Sequence, residues 1–241
     1  MQTLSKQKKV ICIVFFIIFF VSASGTDYYA NTLIENTDHK IVYLTFDDGP
    51  SVITNNLLDA LKACNVKATF FIVGKEVPGR EKVLKRIHDE GHSIGLHTYS
   101  HNFKKIYKSE NIFIQEMISS QEKIKEVTGY SSTFIRFPGG SSKHLSESML
   151  EKIHDNNLKV FDWNSSLEDG VNPNLSVDDL VKNSKKCKAH SRRIILLMHC
   201  NSNNTNTIKA LPRIIKYYKS CGYEIKPITD STPEYYYKFK K

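Results

Sequence analysis

The chain has 241 residues, of which 40% are hydrophobic and 24% are charged, and its formal net charge is +9. This length supports one sizeable domain or two small ones with a buried core, and the ordinary composition excludes a disordered or fibrous chain. The positive charge suits anionic cell-wall polymer or membrane headgroups, but no dense basic stripe with interleaved aromatics is present, which excludes nucleic acid as the expected partner.

The N-terminus has the pattern of an export segment. Three lysines among the first nine residues precede an apolar run from Val10 to Val21, and small residues follow it. This order is typical of a secretory signal, while the Ile and Phe content of the run leaves an uncleaved membrane anchor as the alternative. We therefore predict a signal peptide or anchor at 1–23, a polar stem at 24–37, one domain at 38–232 and a frayed basic tail at 233–241. The protein is expected to be a monomer outside the cell or at the cell surface.

From residue 41 onward, apolar β-rich runs alternate with amphipathic stretches. Seven strands are predicted, at 41–46, 68–74, 92–98, 133–137, 158–163, 193–199 and 223–228. Six helices are predicted between them, near 54–64, 79–90, 109–128, 146–156, 176–187 and 205–221. Because a helix joins each strand to the next and the strands are continuously apolar, the pattern predicts parallel β/α units with both faces of the sheet covered. No repeat or linker divides this region, so it is expected to be a single α/β domain.

Polar or aromatic side chains follow five of the seven strands. In chain order they are Asp47 and Asp48, then His97 and His101, then Arg136 to Gly139, then Asp162 and Trp163, and finally Leu197 and His199. Catalytic groups in β/α folds gather at the carboxyl ends of strands. A closed ring brings all five ends to one mouth, whereas an open sheet brings together only those beside its switch point. The pattern therefore favours a barrel, although each motif taken alone also fits a turn, a surface histidine or core packing.

Asp48, His97 and His101 provide the two histidines and one carboxylate of a metal site that keeps positions open for water and substrate. A divalent ion there lowers the pKa of bound water to about 7 and polarises a carbonyl. Asp47 lies beside this set and can take the proton of the water. His199 titrates near neutrality and can protonate a leaving amide nitrogen. The sequence thus predicts metal-assisted hydrolysis, with zinc as the default ion and cobalt or another divalent ion fitting the same ligands.

The same five motifs resemble those of a known family. TFDDGP at 45–50, HTYSH at 97–101, RFPG at 136–139, DW at 162–163 and LMH at 197–199 are similar to the ordered motifs of polysaccharide deacetylases. The resemblance extends over essentially the whole predicted domain and implies a single distorted (β/α)7 barrel. It implies Asp47 as the general base, Arg136 as the group that orients Asp47, and Asp48, His97 and His101 as metal ligands.

The resemblance also implies roles for the last three motifs. Gly139, after Pro138, would offer its backbone N–H to the oxyanion, and Pro138 would contact substrate. His199 would be the general acid, with its pKa tuned by Asp162. Trp163 and Leu197 would form walls of the acetyl pocket.

The implied substrate is the N-acetyl group of N-acetylglucosamine in peptidoglycan. The third motif departs from the usual pattern, because Gly139-Gly140-Ser141-Ser142 stands where an aromatic residue more often follows the proline. Such variants occur among bacterial cell-wall deacetylases, which favours peptidoglycan over chitin oligomers, exopolysaccharide or xylan. A non-catalytic glycan-binding barrel is the alternative from another class of protein. Such a protein should lack the base, a metal ligand or the acid, but this sequence has all of them.

The cysteines give no clear pairing. Without Cys12, four remain, and their spacing matches neither a small disulfide scaffold nor a CxxC metal site. Cys200 follows His199 directly, where an acidic residue is frequent in the family. It is interpreted as a packing residue, with a soft extra ligand or a redox-sensitive thiol as the alternatives.

Overall fold

The computed structural model describes residues 39–186 and 191–238. The predicted export segment and stem, and Cys187, lie outside these ranges. Within them, no helix is both long enough and apolar enough to cross a membrane.

In these two ranges, eight strands form one parallel sheet with seven α-helices around it. The strands are β1 Lys40–Gly49, β2 Thr69–Ile72, β3 Ser93–Leu96, β4 Phe134–Ile135, β5 Lys159–Val160, β6 Ser165–Ser166, β7 Arg193–His199 and β8 Tyr223–Lys226. The helices are α1 Thr54–Ala63, α2 Glu81–Asp89, α3 Phe103–Ile106, α4 Glu110–Thr128, α5 Glu147–Asp155, α6 Val177–Ser184 and α7 Thr205–Ser220. Hydrogen bonding gives the strand order β5-β4-β3-β2-β1-β7-β6, and β8 pairs with the first half of β1.

Each of the seven predicted strands and six predicted helices corresponds to an element of the fold. Two short elements were not predicted. Strand β6 has two residues and helix α3 is a single turn, so neither is long enough to show a period of 2 or 3.6 in its sequence. The parallel registers agree with the predicted β/α units.

The sheet is curled so that its two edges approach each other. Strands β5 and β6 lie at opposite ends of the strand order, yet only residues 161–164 join them. Arg136, just after β4, donates a hydrogen bond to Thr45 of β1 at 2.8 Å, although three strand spacings of a flat sheet would separate them by about 14 Å. The strands therefore surround a common interior, and the prediction of an α/β fold with a distorted (β/α)7 barrel is confirmed.

The interior changes from apolar at its base to polar at its mouth. Tyr43, Thr45 and Asp47 alternate along β1 and so face the same side. At the base, Tyr43 joins a small buried cluster whose other members are Phe71, Phe134, Phe161, Ile195 and Ile228. Thr45 and Asp47 come next toward the carboxyl ends of the strands. The alternate residues of β1 instead pack against the surrounding helices in the larger core cluster.

Residues 233–237, here called the C-terminal segment, lie along the open edge of β5. The Tyr235 N–H donates to the Val160 carbonyl at 3.1 Å, and the Tyr235 carbonyl accepts from the Asp162 N–H at 2.6 Å. Arg193 of β7 donates to the carbonyls of Pro233 and Glu234. The prediction of a frayed tail at 233–241 is therefore wrong for its first five residues, because the short edge strand β5 leaves backbone groups that this segment satisfies.

Candidate active site

The register of β1 and β7 brings the two predicted proton-transfer residues side by side. Asp47 is the Cα partner of His199, and Thr45 is the partner of Leu197. His97 follows β3, and its N–H donates to the Ile72 carbonyl of β2 at 2.8 Å. Residues that are far apart in sequence thus meet at one mouth of the barrel.

Arg136 fixes the orientation of Asp47. Its side chain is fully buried, and Nη1 donates to Asp47 Oδ1 at 2.8 Å while Nε donates to the Phe161 carbonyl at 2.7 Å. The guanidinium carbon lies 4.1 Å from the centroid of the Phe71 ring at the base of the interior. A buried guanidinium is tolerated only when its donors and charge are satisfied, so the buried Asp47 carboxylate and Arg136 depend on each other.

Asp48, His97 and His101 form a cluster whose ligand atoms all lie within 4.8 Å of one another. Asp48 Oδ1 is 3.5 Å from His97 Nε2 and 3.2 Å from His101 Nε2. This oxygen is buried and has no hydrogen-bond partner among the described residues. Burial by itself raises the pKa of Asp48, but the two imidazoles lower it overall. A buried carboxylate oxygen without a donor fits a site that completes its bonding with a cation.

Both histidines are prepared to act as ligands. His97 Nδ1 donates to the Arg136 carbonyl at 2.9 Å, which leaves the lone pair on Nε2 facing Asp48. Burial, together with the neighbouring His97, lowers the pKa of His101 to about 4, so its imidazole is neutral at neutral pH. Neutral imidazoles are the form that binds metal. The three side chains therefore fit a divalent metal ion.

The prediction that Asp162 tunes His199 is wrong, because His199 pairs with Asp169. His199 Nδ1 donates to Asp169 Oδ1 at 2.9 Å, and the His199 N–H donates to Asp169 Oδ2 at 3.0 Å. Thr207 Oγ1 donates to the same oxygen at 2.8 Å. Burial alone lowers the pKa of His199, but the hydrogen bond to Asp169 and nearby carboxylates raise it to about 9.

Sequence reasoning missed Asp169 because it sits in a loop, six residues beyond the end of the strand predicted at 158–163. The only local signal is the following glycine, since Asp-Gly is a common turn pair. The structure explains why glycine occupies position 170, because a Cβ at Gly170 would overlap the His199 ring. The backbone of this loop thus packs directly on the histidine that Asp169 holds.

Asp162 instead organises the loop after β4. Its carboxylate accepts hydrogen bonds from the Ser141 N–H at 3.0 Å, from Ser141 Oγ and from the Tyr237 N–H at 2.9 Å. Burial raises the pKa of Asp162. It therefore joins the 139–141 loop to the C-terminal segment rather than contacting His199.

Replacing Asp169 with Asn is expected to move the alkaline limb of the kcat–pH profile to lower pH. His199 can donate a proton only below its pKa, and Asp169 raises that pKa, so losing the charge lowers it; one neighbouring charge typically changes a pKa by about 1–3 units. Hydrolytic activity measured from pH 6 to 10 checks this. Asp178→Asn, at an exposed carboxylate, is the control, and an unmoved limb in Asp169→Asn would contradict the pairing.

The remaining predicted substrate contacts line the same mouth. Tyr107 Oη donates to the Pro138 carbonyl at 2.6 Å, which fixes the start of the glycine loop. Gly139 is exposed with φ of 76°, and its N–H has no acceptor among the described residues. Leu197 is buried and Trp163 is half-buried. The Gly139 N–H is thus without an acceptor in the described residues, as a donor to an oxyanion would be before substrate binds.

Glu116 of α4 holds the loop that carries two of the clustered residues, and it was not predicted. This side chain is 5% exposed and accepts from the Ser100 N–H at 2.6 Å and from Lys105 Nζ at 2.7 Å. Thr98 and His101 on either side of Ser100 have φ of 63° and 50°. A non-glycine residue in this region costs about 1–3 kcal/mol, so the loop conformation depends on such anchors.

The substitution Glu116→Gln is expected to weaken the binding of a divalent metal ion about tenfold, as is typical of groups that orient ligands from outside the metal shell. Titration with a chromophoric chelator measures the affinity. Glu126→Gln on the same helix, at a side chain that is 66% exposed, serves as the control. Equal metal affinity in both variants would show that Glu116 supports stability alone.

Cys200 lies behind the site as a packing residue. It is buried, its Sγ donates to the Asp47 carbonyl at 3.3 Å, and a Cβ on Gly49 would lie 2.7 Å from the sulfur. Burial raises the pKa of this thiol well above its usual value, which opposes the thiolate that metal binding or oxidation needs. Cys64, Cys200 and Cys221 are all unpaired thiols in the described ranges.

Comparisons with known proteins agree with this geometry. The family model for polysaccharide deacetylase matches residues 34–161. The putative polysaccharide deacetylase YheN of Bacillus subtilis is 33% identical over 206 residues, covering 82% of this chain and 70% of that protein. A peptidoglycan-N-acetylglucosamine deacetylase of Bacillus cereus is 34% identical over 192 residues, covering 78% and 69%. The catalytic domain of the peptidoglycan N-acetylglucosamine deacetylase from Eubacterium rectale has a TM-score of 0.76 at 32% identity, covering 86% and 96%.

Proposed function

The chain belongs to the polysaccharide deacetylase family, and on that premise we propose that it hydrolyses the N-acetyl group of N-acetylglucosamine residues in peptidoglycan. The products are a glycan with a free amine and acetate. The relatives from B. cereus and E. rectale are named for this activity. The observation that carries the proposal is the position of Asp47, which Arg136 holds at 2.8 Å and which the strand register places beside His199.

The metal is proposed to be zinc, held by Asp48, His97 and His101. When bound, such an ion polarises a carbonyl and lowers the pKa of its bound water. The unpartnered Asp48 Oδ1 and the neutral imidazole of His101 support this assignment. Cobalt or another divalent ion is accepted by the same ligand types.

Proton transfer is proposed to use two residues on adjacent strands. Asp47 accepts a proton from the attacking water, and Arg136 keeps the receiving carboxylate in place through its buried hydrogen bond. His199 donates a proton to the departing amide nitrogen, because an unprotonated amine anion is a poor leaving group. Asp169 holds His199 in the tautomer whose Nε2 faces the substrate.

The rest of the mouth is proposed to bind the acetyl group. The Gly139 N–H donates to the developing oxyanion, an interaction whose removal typically costs about 10²–10³ in rate. Trp163 and Leu197 contact the acetyl methyl group. Pro138 sets the position of the Gly139 backbone, and the Pro138 carbonyl accepts a hydrogen bond from Tyr107 Oη.

Acetate release from purified peptidoglycan tests the function. The protein is stripped with a chelator, assayed, resupplied with zinc and assayed again. Release that depends on zinc is the expected result. No release by zinc-loaded protein would exclude peptidoglycan, and the same assay on chitin oligomers, exopolysaccharide and xylan would then separate another deacetylase from a non-catalytic glycan-binding barrel.

We also propose that residues 1–23 direct export and that the enzyme acts as a monomer outside the membrane. The lysines before the apolar run at 10–21 support the first point, and the named cell-wall activity of the relatives supports the location. N-terminal sequencing of the protein from culture medium and from membranes distinguishes a cleaved signal from an anchor. Light scattering measures the oligomeric state.

A further inference from the structure

Large hydrophobic side chains are exposed at only one end of the barrel in the described part of the chain. They are Val52, Phe103 and Val171, which are 71%, 49% and 84% exposed. Each lies in a segment that follows the carboxyl end of a strand: Val52 is in the loop after β1, Phe103 begins helix α3 after β3, and Val171 is in the loop after β6. A single exposed apolar residue needs no explanation, but a group confined to the mouth of a site indicates a binding surface.

Phe103 is the member of this group that borders the reacting centre. Its ring centroid lies 5.4 Å from that of His101 in an edge-on arrangement, and 5.9 Å from that of Tyr107. A Cβ built on Gly139 would lie 3.1 Å from Phe103 Cε1. The ring therefore extends from a proposed metal ligand to the proposed oxyanion donor, with half of its surface left to solvent.

The neighbouring backbone keeps this ring accessible. Gly139 and Gly140 have φ of 76° and 86° and carry no side chain. A Cβ on Gly140 would meet Trp163 at 3.0 Å and Tyr237 at 3.3 Å on its own side. The backbone at the two glycines thus carries no side chain. Gly139 adjoins the Phe103 ring, and Gly140 adjoins the Trp163 ring.

We propose that Phe103 is a sugar-stacking residue, whose exposed ring face packs on the apolar C–H face of a pyranose ring in the glycan. The proposal rests on the proposed deacetylase function and names a residue that determines glycan binding. A pyranose presents a face of aliphatic hydrogens that loses water when it meets a flat ring. The ring is already held by His101 and Tyr107, so little side-chain freedom is lost when the sugar binds.

The alternative role for Phe103 is structural, as a support for His101. The two roles differ in what they change. A stacking residue alters KM for the glycan and leaves zinc affinity intact, whereas a support for His101 alters zinc affinity. They also differ in chemistry, because stacking needs a flat aromatic face and packing needs only apolar volume.

The test compares Phe103→Ala, Phe103→Leu and Phe103→Tyr on soluble peptidoglycan fragments. We expect Phe103→Ala to raise KM about tenfold, with kcat within about threefold of the parent value. The KM of Phe103→Leu should lie between those of the parent and Phe103→Ala. The KM of Phe103→Tyr should equal that of the parent. Zinc affinity, from competition with a chelator, is expected to be equal in all four proteins. Lys85→Ala, which truncates a side chain of α2 that is 60% exposed, is the control and is expected to leave KM within about twofold.

Three results would overturn the proposal. They are an unchanged KM in Phe103→Ala, a KM in Phe103→Tyr as high as that in Phe103→Ala, and zinc affinity that falls in parallel with activity. Failure of the proposed function gives a different result, since the zinc-loaded parent would then release no acetate from any glycan. In that case fragment binding to the zinc-loaded parent and to Phe103→Ala, measured by calorimetry, decides whether Phe103 contacts sugar.

Discussion

Asp47→Asn is expected to lower kcat for acetate release by about 10²–10⁴, the usual contribution of a positioned general base, while zinc binding stays close to the parent level. Asparagine has nearly the same shape, and its carbonyl oxygen can still accept the Arg136 hydrogen bond that Asp47 Oδ1 accepts at 2.8 Å. It cannot take up a proton from water. Because buried Arg136 loses its neutralising charge, the variant should also be less stable, but the loss of activity per folded, zinc-loaded chain should lie in kcat rather than in KM.

Steady-state kinetics together with zinc content per chain check this result. Asp59→Asn is the matched control, because Asp59 of α1 is an exposed carboxylate, 66% accessible, that pairs with Arg86 at 2.5 Å. Its activity should equal that of the parent. Turnover near the parent level in zinc-loaded Asp47→Asn would show that another group accepts the proton.

Asp48→Ala is expected to lose zinc and activity together. Removing an oriented group outside the metal shell already costs about 10–100-fold in metal affinity, so the loss of one of three direct ligands should exceed the upper end of that range. Excess zinc should then restore part of the activity of Asp48→Ala and none of the activity of Asp47→Asn. This difference separates the ligand from the base, although the two residues are adjacent in sequence.

Chelator competition measures zinc affinity, and activity is followed across a zinc series. Asp178→Ala, at a carboxylate that is 82% exposed, controls for the loss of a negative charge. Parent-like zinc affinity in Asp48→Ala would remove Asp48 from the ligand set. His101→Ala, at the residue whose Nε2 lies 3.2 Å from Asp48 Oδ1, is expected to show the same zinc-dependent rescue.

The order of elements and most of the candidate site could be predicted from the sequence because both depend on local patterns. Each long strand shows a continuous apolar run and each long helix an amphipathic period, so all of them were found. The motifs at the strand ends were found in the same way. Parallel strands point the same way, so side chains that follow them meet at one end of a barrel without further information.

The short elements could not be predicted, and they decide several details of the site. Strand β6 has only two residues, Ser165 and Ser166, yet it pairs with Leu196 and Leu197 of β7. That pairing carries the next loop to His199, so Asp169 reaches the imidazole. Asp162 comes before β6 and stays beside β5, where it accepts from Ser141.

The sequence by itself therefore determined the α/β barrel, the position of the site at the carboxyl ends of the strands, and the cluster of Asp47, Asp48, His97 and His101. Only the tertiary structure decided that Asp169 rather than Asp162 pairs with His199, that the C-terminal segment covers β5, and that the Phe103 ring is left exposed. The physical reason is that periodicity and turn chemistry act over a few residues. Hydrogen-bond partners and exposed faces depend instead on how distant loops pack, which no local pattern encodes.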